Sequence, residues 1–423
     1  MAEDRGAMRG ESSGNGVLRR LNTTAVLEGV RAAGAAGARI TELAADNRLT
    51  RPTVSQAIDE LASAAVVEPL APSEPSGAGR PATRYVLRRG LLPVLGLDIG
   101  PHRVAASIVD IQGESLAHET IEVPPGADPA AVRRQVSTLV DGVLLAARLP
   151  ADRIGAVVAG SPGVVGPELS RVTIAPSAPG NTDAGLFADL AERFPARLLV
   201  ENDANLAAIA ASVEHPGRTL VVIHWGERLG AGVVIDGALH RGAHRAAGEV
   251  GLIPVSSDGV QFDEHGRGPL EHALGAAGIA ELARAEASRH PGGALPVDRP
   301  LTAQQVFTAA AEGDRAAVAA VSAVATKMVE RLAPVFLTID PHVVVLTGGV
   351  ANAGEFLVDQ LRRLLPRFTL VPPELALLVP ADRAVLAGAL TLAASRAWDE
   401  LIASVQPGHP WSVSEPGPSR PAR

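Results

Sequence analysis

The alternation of apolar and polar residues divides the chain into a helical front and a longer body in which strands and helices alternate. In the front, apolar residues recur at helical spacing in three stretches, the third of which is "TRPTVSQAIDELASA". Thr50 stands where a helix is capped, and Pro52 falls in the first turn, where proline is tolerated. Val54, Ile58 and Leu61 form one apolar stripe. The pattern predicts a helix that starts just after Thr50.

The face opposite this stripe is polar. It carries Arg51, Ser55, Gln56 and Asp59, with Thr53 near its edge. A short helix, a tight turn and a second helix with a polar outer face form the arrangement of a DNA-reading helix-turn-helix. The same pattern fits an ordinary helical hairpin with a solvated face, and the helices alone do not separate these two interpretations.

Two strand-like runs follow, "VVEPL" and "TRYVLRR", joined by a segment rich in Gly, Pro and Ser. They predict a β-hairpin whose tip carries Gly79, Arg80 and Pro81. An arginine on a slim tip can enter a narrow minor groove, so the hairpin would serve as the wing of a winged helix. The alternative, a plain linker, is disfavoured by the helices before it. We therefore predict a winged helix-turn-helix domain over residues 17–90.

The body begins with two hairpin strands, "VLGLDI" and "VAASIVD", then a strand at "ETIEV", a helix over 128–148, and strands at "IGAVVAG" and "ARLLVEND". An Ala-rich helix follows, and the design recurs with a second hairpin, "TLVVIHW" and "LGAGVVID". We assign Asp236-Gly237, a strong turn signal, as the turn that closes this second hairpin. The recurrence predicts a duplicated α/β fold with two lobes and a ligand cleft between them.

These patterns predict the boundaries of the lobes and of the chain's two tails. We place the first lobe at residues 91–210, completed by about 380–403, and the second lobe at 211–379. Residues 1–16 and 404–423 are rich in Gly, Pro and Ser, and we expect them to be disordered tails.

Composition and charge narrow the classes of function. Cys is absent from all 423 residues, which excludes disulfides and thiolate metal sites. No signal-peptide pattern opens the chain and no apolar run is long enough for a membrane span, so we expect a cytoplasmic protein. Residues 1–90 carry 12 arginines against 10 acidic residues, whereas the rest carries 26 basic and 36 acidic residues. This asymmetry permits a nucleic-acid contact at the front only.

Several segments, taken in order, resemble a known family. "VENDANLAA", "GAGVVIDGALHRGAHRAAGEVG", "GRGPLEHALG" and "VVVLTGGVANAGEFL" look like signature segments of the ROK family (repressors, open reading frames and kinases). The front, with "RRLNTTAVLEGV", "LTRPTVSQAIDEL" and "GRPA", resembles the winged helix-turn-helix of that family's transcriptional regulators. The resemblance implies a two-lobed, hexokinase-like fold of the actin and ribonuclease H type, sugar effectors, and homodimers or homotetramers.

The resemblance also implies a sugar site. Its residues would be Asn202, Asp203, Glu249 and Glu271, and Asp203 occupies the position of the catalytic base in the family's kinases. Without a ligand role, the two glutamates would belong to a solvated loop or a helix N-terminus. Asn202 and Asp203 would then simply cap the helix that follows them.

The segments that would hold nucleotide phosphates depart from the kinase pattern. The family's kinases have a pattern similar to Asp-x-Gly-Gly-Thr at the first hairpin. Here Asp98 and Gly100 are kept, but Pro101 and His102 replace the second glycine and the threonine. In the second hairpin, Gly-Thr-Gly-x-Gly is replaced by the segment that runs from Gly226 to Gly230. Its second residue, Glu227, would place a carboxylate close to the terminal phosphate, where like charges repel. We expect ATP binding and phosphoryl transfer to be lost.

The family's zinc segment is altered as well. Leu252 stands in the place of a histidine ligand, and Phe262, Glu264 and Pro269 stand in the places of cysteines. A structural zinc needs four Cys or His ligands, which Glu264, His265 and His272 do not rebuild. We predict no metal and no other cofactor.

Three functions are compatible with these features. The first is a DNA-binding transcriptional regulator of the repressor type, which binds an operator in duplex DNA and senses a sugar or a sugar-like effector. The alternative is a sugar kinase with an appended DNA-binding domain. The third is a protein that binds DNA without any effector. None of them involves a membrane.

Overall fold

The structure is a computed structural model. The residues that it describes are 4–70, 83–124, 127–166, 168, 171–175, 184–194, 197–257, 259–290, 293–296, 298–378, 380 and 383–404. The chain forms two compact units. The front unit comprises residues 1–94, 109–116 and 394–423, and the body unit comprises residues 95–108 and 117–393.

Three helices build the front unit: α1 (Asp4–Ala33), α2 (Ile40–Asp46) and α3 (Arg51–Ser63). As predicted, Thr50 caps α3, because its side-chain oxygen accepts a hydrogen bond from the Thr53 N–H at 3.3 Å. The apolar stripe of α3 is buried, and its residues pack with fully buried side chains of α1 such as Leu27. The helix prediction for this region is confirmed.

A small sheet completes the front unit. Its strands are β1 (Ala38–Arg39), β2 (Val67–Pro69) and β3 (Arg84–Leu87), in the order β1-β3-β2. β2 and β3 are antiparallel, with Val67 opposite Leu87, so the predicted hairpin is confirmed. Its tip, with Gly79, Arg80 and Pro81, lies outside the described residues.

The first half of the body unit contains β4 (Val94–Ile99), β5 (Arg103–Val109), β6 (Ser115–Glu122), α4 (Pro129–Ala147), β7 (Val157–Ser161), β8 (Val164–Val165), β9 (Val172–Ile174), α5 (Ala184–Arg193) and β10 (Leu198–Asn202). Five of its strands form a sheet in the order β10-β7-β4-β5-β6, and β8 pairs with β9 in a small separate sheet. β7 is parallel to both β4 and β10. The helix predicted over 128–148 is confirmed, with Asp128 as its cap.

The second half contains α6 (Asp203–Glu214), β11 (Leu220–Trp225), β12 (Leu229–Ile235), β13 (Ala238–His240), α7 (Pro269–Leu274), α8 (Ala276–Arg289), α9 (Ala303–Ala311), α10 (Arg315–Ile339), β14 (Val343–Thr347), α11 (Glu355–Leu364) and β15 (Glu374–Leu377). The strands form a sheet in the order β13-β12-β11-β14-β15. Buried side chains of β11, β12 and β14 pack with those of α7 to α11 in one large core.

The two five-stranded sheets have the same topology. In each, the first strand is central, the second and third lie on one side of it, and the fourth and fifth lie on the other. The predicted duplication is therefore confirmed. The turn assignment was wrong, however: Gly226 to Arg228 connect β11 to β12, whereas Asp236 and Gly237 connect β12 to β13. Both turn residues have positive φ, 50° and 80°, so the turn signal was sound and only the strands it joins were misassigned.

Helix α6 packs closely on the second sheet. A Cβ on Gly232 of β12 would lie 2.4 Å from the Ala208 Cβ and 2.5 Å from the Ala204 oxygen, so only glycine allows this approach. Because α6 belongs to the second sheet's packing and runs to Glu214, the lobe boundary expected at residue 210 falls inside a helix.

The chain ends differ from the expectation. Residues 4–16 are the first part of α1, where a disordered tail was predicted. The Ser- and Gly-rich composition suggested a coil, but adding residues to an existing helix costs far less than nucleating a new one. At the other end, α12 (Ala384–Ser404) contributes its residues from Ala394 onward to the front unit. There the Trp398 Nε1 donates to Glu28 of α1 at 3.1 Å, and Arg31 lies 4.2 Å from the centre of the indole ring. Residues 405–423 lie outside the described part.

No helix within the described residues is long and apolar enough to cross a bilayer.

Candidate ligand site and DNA-binding face

Asn202 and Asp203 lie at the junction of β10 and α6. The Asn202 side chain accepts a hydrogen bond from the Asn205 N–H at 3.0 Å, so it caps α6, as one of the two interpretations of this segment held. Its amide nitrogen also donates to the Gly163 oxygen at 3.1 Å. Asp203 is the first residue of the helix, and it lines the cavity described below.

Glu249 is held beside these residues by the glycine before it. Gly248 has a φ of 90°, and a Cβ there would lie 1.8 Å from the Ala231 oxygen of β12. Any other residue would push this loop away from the strand. Glu271 lies in the first turn of α7 and is 8% exposed, and its carboxylate accepts a hydrogen bond from the Gly268 N–H at 3.2 Å.

The four residues predicted from the resemblance line one cavity of about 340 Å³. Burial, followed by the charges of Asp203 and Glu271, raises the pKa of Glu249 to about 7. Burial also raises the pKa of Glu271, although the positive charge of Arg228 and two backbone hydrogen bonds oppose this. The cavity therefore presents several hydrogen-bond acceptors close together, and one carboxyl group titrates near neutral pH.

Sequence reasoning missed a pair that holds this site. Glu201, 2% exposed, accepts from the Arg241 Nε at 2.7 Å and from the Asn205 amide and the Asn202 N–H at 3.0 Å. Glu201 belongs to β10 and Arg241 to the loop after β13, which leads to Glu249. Both residues lie in segments that resemble the family, Glu201 in "VEND" and Arg241 in "LHRGAHR". Nothing in the sequence shows that their side chains meet.

The altered hairpin turns line a second cavity of about 280 Å³. Asp98, Gly100, Pro101 and His102 lie on one side of it, and Gly226 and Glu227 on the other. The His102 Nε2 contacts the Glu227 carboxylate, so a departure from the kinase pattern in one turn is paired with a departure in the other. The Arg103 guanidinium lies 3.5 Å from the Asp98 carboxylate. Gly230, predicted as part of a phosphate loop, lines the first cavity instead.

The two cavities adjoin each other, because Asp203, His224 and Arg228 line both. A ligand in the first cavity would therefore lie next to the space where the kinases' phosphate loops would act. In this chain, a contact between two side chains bridges that space.

The segment that resembles a zinc site is organised around a carboxylate. Asp263 accepts hydrogen bonds from the Arg267 Nε at 2.7 Å, from the N–H groups of Arg267 and His265 at 2.9 Å, and pairs with the His272 Nδ1 at 3.0 Å. The described residues contain no cluster of three His, Asp or Glu side chains that could hold a metal. The side chains present do not fit a structural zinc, because Asp263 already ties together the loop that such an ion would hold.

The polar face of α3 is open. Arg51 and Gln56 are exposed, and Thr53 and Ser55 are partly exposed. Arg51 is the first residue of the helix, where side chains of a recognition helix reach base edges or phosphates.

The fold and the site together define a two-lobed protein of the sugar-kinase type, in which an N-terminal helix-turn-helix unit precedes a duplicated α/β body. The ROK family pattern matches residues 94–396, and the chain belongs to the ROK family.

Known relatives include both regulators and kinases. The xylose repressor of Caldicellulosiruptor bescii is 25% identical over 359 residues, which cover 82% of this chain and 89% of the repressor. The glucokinase of Streptomyces coelicolor is 28% identical over 290 residues, which cover 65% of this chain and 87% of the kinase.

Solved structures give the same picture of the fold. A ROK family transcriptional regulator, a homologue of the E. coli MLC protein, superposes with a TM-score of 0.71 at 20% identity and covers 91% of this chain and 98% of its own. A glucokinase from Streptomyces griseus, in complex with glucose and AMPPNP, superposes with a TM-score of 0.60 at 26% identity and covers 71% of this chain and 98% of its own.

Proposed function

We propose that this protein is a transcriptional regulator that binds duplex DNA through its front unit and senses a sugar in the cavity lined by Asp203. The observation that carries the proposal is α3: one face is buried in the front unit, and the other presents Arg51 and Gln56 to solvent. The extent of the matches supports it, since the repressor match covers 82% of this chain and the glucokinase match covers 65%.

The loss of phosphoryl transfer is part of the proposal. Phosphoryl transfer depends on donors and charges that hold the phosphates, and Pro101 removes a backbone donor from one loop. Glu227 adds a carboxylate to the other loop, and His102 occupies the gap between them. A nucleotide would have to displace this contact and face the repulsion of Glu227. Asp203 then serves as an acceptor for a sugar hydroxyl rather than as a base.

A sugar kinase with an appended DNA-binding unit is the second candidate. It is favoured by the position of Asp203, which lies where the two cavities meet, as a catalytic base would. Incubation of the purified protein with ATP and a panel of hexoses separates the two functions. We expect no ADP above the background. Turnover that Asp203→Ala abolishes would establish the kinase instead.

DNA binding is tested by selecting fragments of the source genome with the purified protein and measuring the fluorescence anisotropy of the enriched fragment. We expect Arg51→Ala and Gln56→Ala each to weaken specific binding by roughly tenfold or more, the loss expected for one base-reading side chain. Arg134→Ala, at an exposed position of α4 in the body unit, is the matched control and should bind as the unchanged protein does. Failure to enrich any fragment, or full affinity in both α3 variants, would contradict the proposal.

Dimerisation belongs to the same proposal. A dimer would bring two α3 helices to successive major grooves about one helical turn apart, so the selected site should be a palindrome or a near-palindrome. The protein would act in the cytoplasm, and a sugar that shifts the lobes of the body unit would change the spacing of the two helices.

A further inference from the structure

Two large apolar side chains are exposed in the walls of the ligand cavity. Ile174, the last residue of β9, is 56% exposed, and Phe262, in the loop before α7, is 49% exposed. Single exposed apolar residues are ordinary on a protein surface, but apolar residues that share the wall of a concave site mark a place where a ligand is bound.

These two residues are part of a larger apolar set. Val164 of β8 lies opposite Ile174 in the small sheet, and Leu252 lines the cavity together with Phe262. The first half of the body unit thus supplies Val164 and Ile174, and the second half supplies Leu252 and Phe262. The same cavity holds the acceptors Asp203, Glu249 and Glu271, so its wall has a polar part and an apolar part.

A free hexose would be complementary only to the polar part of the cavity wall. Its hydroxyl groups can donate to the carboxylates, but hydroxyls placed against Leu252, Ile174 or Phe262 would lose their hydrogen bonds to water without replacement. A sugar with an apolar substituent satisfies both, because the substituent gains free energy when it leaves water against those side chains.

We infer that the ligand of this cavity is a glycoside with an aryl aglycone, whose sugar faces the carboxylates and whose aglycone faces Ile174, Leu252 and Phe262. The inference rests on the proposed function, since it assumes that the cavity binds a sugar. It assigns the class of ligand and the residues that select it.

Matched pairs of ligands test the inference on the full-length protein. The probes are the methyl and phenyl glycosides of glucose, galactose, mannose and xylose, and calorimetry gives the dissociation constant of each. For the sugar that binds, we expect the phenyl glycoside to have a dissociation constant lower by about tenfold or more than the methyl glycoside, given the additional apolar area buried.

Three variants identify the residues responsible. Phe262→Ala and Leu252→Ser should reduce the preference for phenyl over methyl to about threefold or less, with the affinity for the methyl glycoside nearly unchanged. Val260→Ala is the matched control, because Val260 is 51% exposed in the same loop but does not line the cavity. It should keep the full preference. Thermal melting of each variant without ligand reports whether the substitution has disturbed folding.

The possible failures are distinguishable. Equal affinity for phenyl and methyl glycosides would overturn the inference and leave sugar sensing intact. If Phe262→Ala weakened both ligands by the same factor, Phe262 would stack on the sugar ring itself, and the assignment of the aglycone would be wrong. If no sugar in any form bound, while the protein still bound its DNA site, the sensing part of the proposed function would fail and the inference with it.

Discussion

Asp263 holds together, through its hydrogen bonds, the loop in which the family resemblance places zinc ligands. Burial alone would raise its pKa, but the hydrogen bonds from Arg267, His272 and the His265 N–H outweigh this and hold the pKa of Asp263 well below its usual range. The loop carries Phe262 and leads into α7, which carries Glu271. A single carboxylate therefore fixes two residues of the ligand cavity.

We expect Asp263→Asn to lower the free energy of unfolding at pH 7 by about 2 kcal/mol, because it removes charge-assisted hydrogen bonds. Since the folded-state pKa is depressed, the stabilisation is present above the unfolded value, 3.8, and is lost as the pH falls through the folded value. The difference between variant and unchanged protein should therefore shrink below about pH 4. Urea denaturation across this range measures it.

Glu264→Gln is the control for this experiment. The Glu264 side chain is 86% exposed, and its carboxylate pairs with the neighbouring His265 at 3.6 Å. Its substitution should change stability by less than about 0.5 kcal/mol. An equal loss in both variants would mean that the loop depends on its net charge and not on the hydrogen bonds of Asp263.

Glu249 should make stability depend on pH in the opposite sense. Its folded-state pKa of about 7 exceeds the unfolded value, 4.5, so the folded protein binds more protons between these values and its stability decreases as the pH rises through this window. Glu249→Gln removes this penalty. We expect the variant to be more stable than the unchanged protein by about 1 to 3 kcal/mol at pH 8 and by almost nothing at pH 4.5. A difference independent of pH, measured by urea denaturation, would contradict this assignment.

Residue identities predicted part of the site. The segments "VENDAN", "GEVG" and "PLEH" were sufficient to select Asn202, Asp203, Glu249 and Glu271, which the structure brings into one cavity. The pairing of His102 with Glu227 could not be predicted, because the two residues lie 125 positions apart and meet only through the tertiary fold. Ile174 was not predicted for a different reason, because an isolated apolar residue in a short strand carries no pattern.

At the scale of elements, the junction of β10 and α6 is tied to the loop after β13 by the pair of Glu201 and Arg241. This pair connects the element that positions Asp203 with the loop that positions Glu249. Glu201 is almost fully buried, so its charge depends on Arg241 for compensation. This ion pair therefore links two elements that line the cavity.

We expect Arg241→Ala to destabilise the protein by about 3 kcal/mol, because it leaves a buried carboxylate without its partner. Arg241→Lys should recover part of the loss. Arg218→Ala removes the ion pair of Arg218 with Glu374, which is largely exposed, and should cost less than about 1 kcal/mol. Urea denaturation of the three variants compares these values, and a similar cost for Arg241→Ala and Arg218→Ala would refute the role of the buried pair.

Local signals predicted the elements well where one face is buried. The capped start of α3, the hairpin of β2 and β3, and the helix over 128–148 all follow from periodicity and capping residues. The strands joined by Asp236-Gly237 were misassigned because the turn signal shows where the chain reverses and not which of several neighbouring strands it reverses between. The length of α1 was not predicted, because the composition of residues 1–16 was judged on its own. In the structure, the helix that was predicted from residue 17 onward continues into the residues before it.

At the scale of the whole molecule, the proposed function gives the two compact units separate tasks. The basic excess of the first 90 residues and the open face of α3 suit DNA, whereas the acidic body carries a cavity of carboxylates and a phosphate space bridged by His102 and Glu227. The order of apolar runs predicted the duplication, because each half of the body begins with a similar hairpin. The boundaries between the two units could not be predicted in this way, because α12 contributes residues to both units.

The central claim is that a sugar bound beside Asp203 controls the affinity of the front unit for DNA. The most direct measurement is the dissociation constant for the selected DNA fragment, by fluorescence anisotropy, with and without a saturating glycoside, in the unchanged protein and in Asp203→Asn. We predict that the glycoside changes the constant by about fivefold or more in the unchanged protein, the usual scale of allosteric coupling, and leaves it unchanged in the variant. A dissociation constant that no sugar alters would contradict this claim, and consumption of ATP in the presence of a hexose would then favour the kinase.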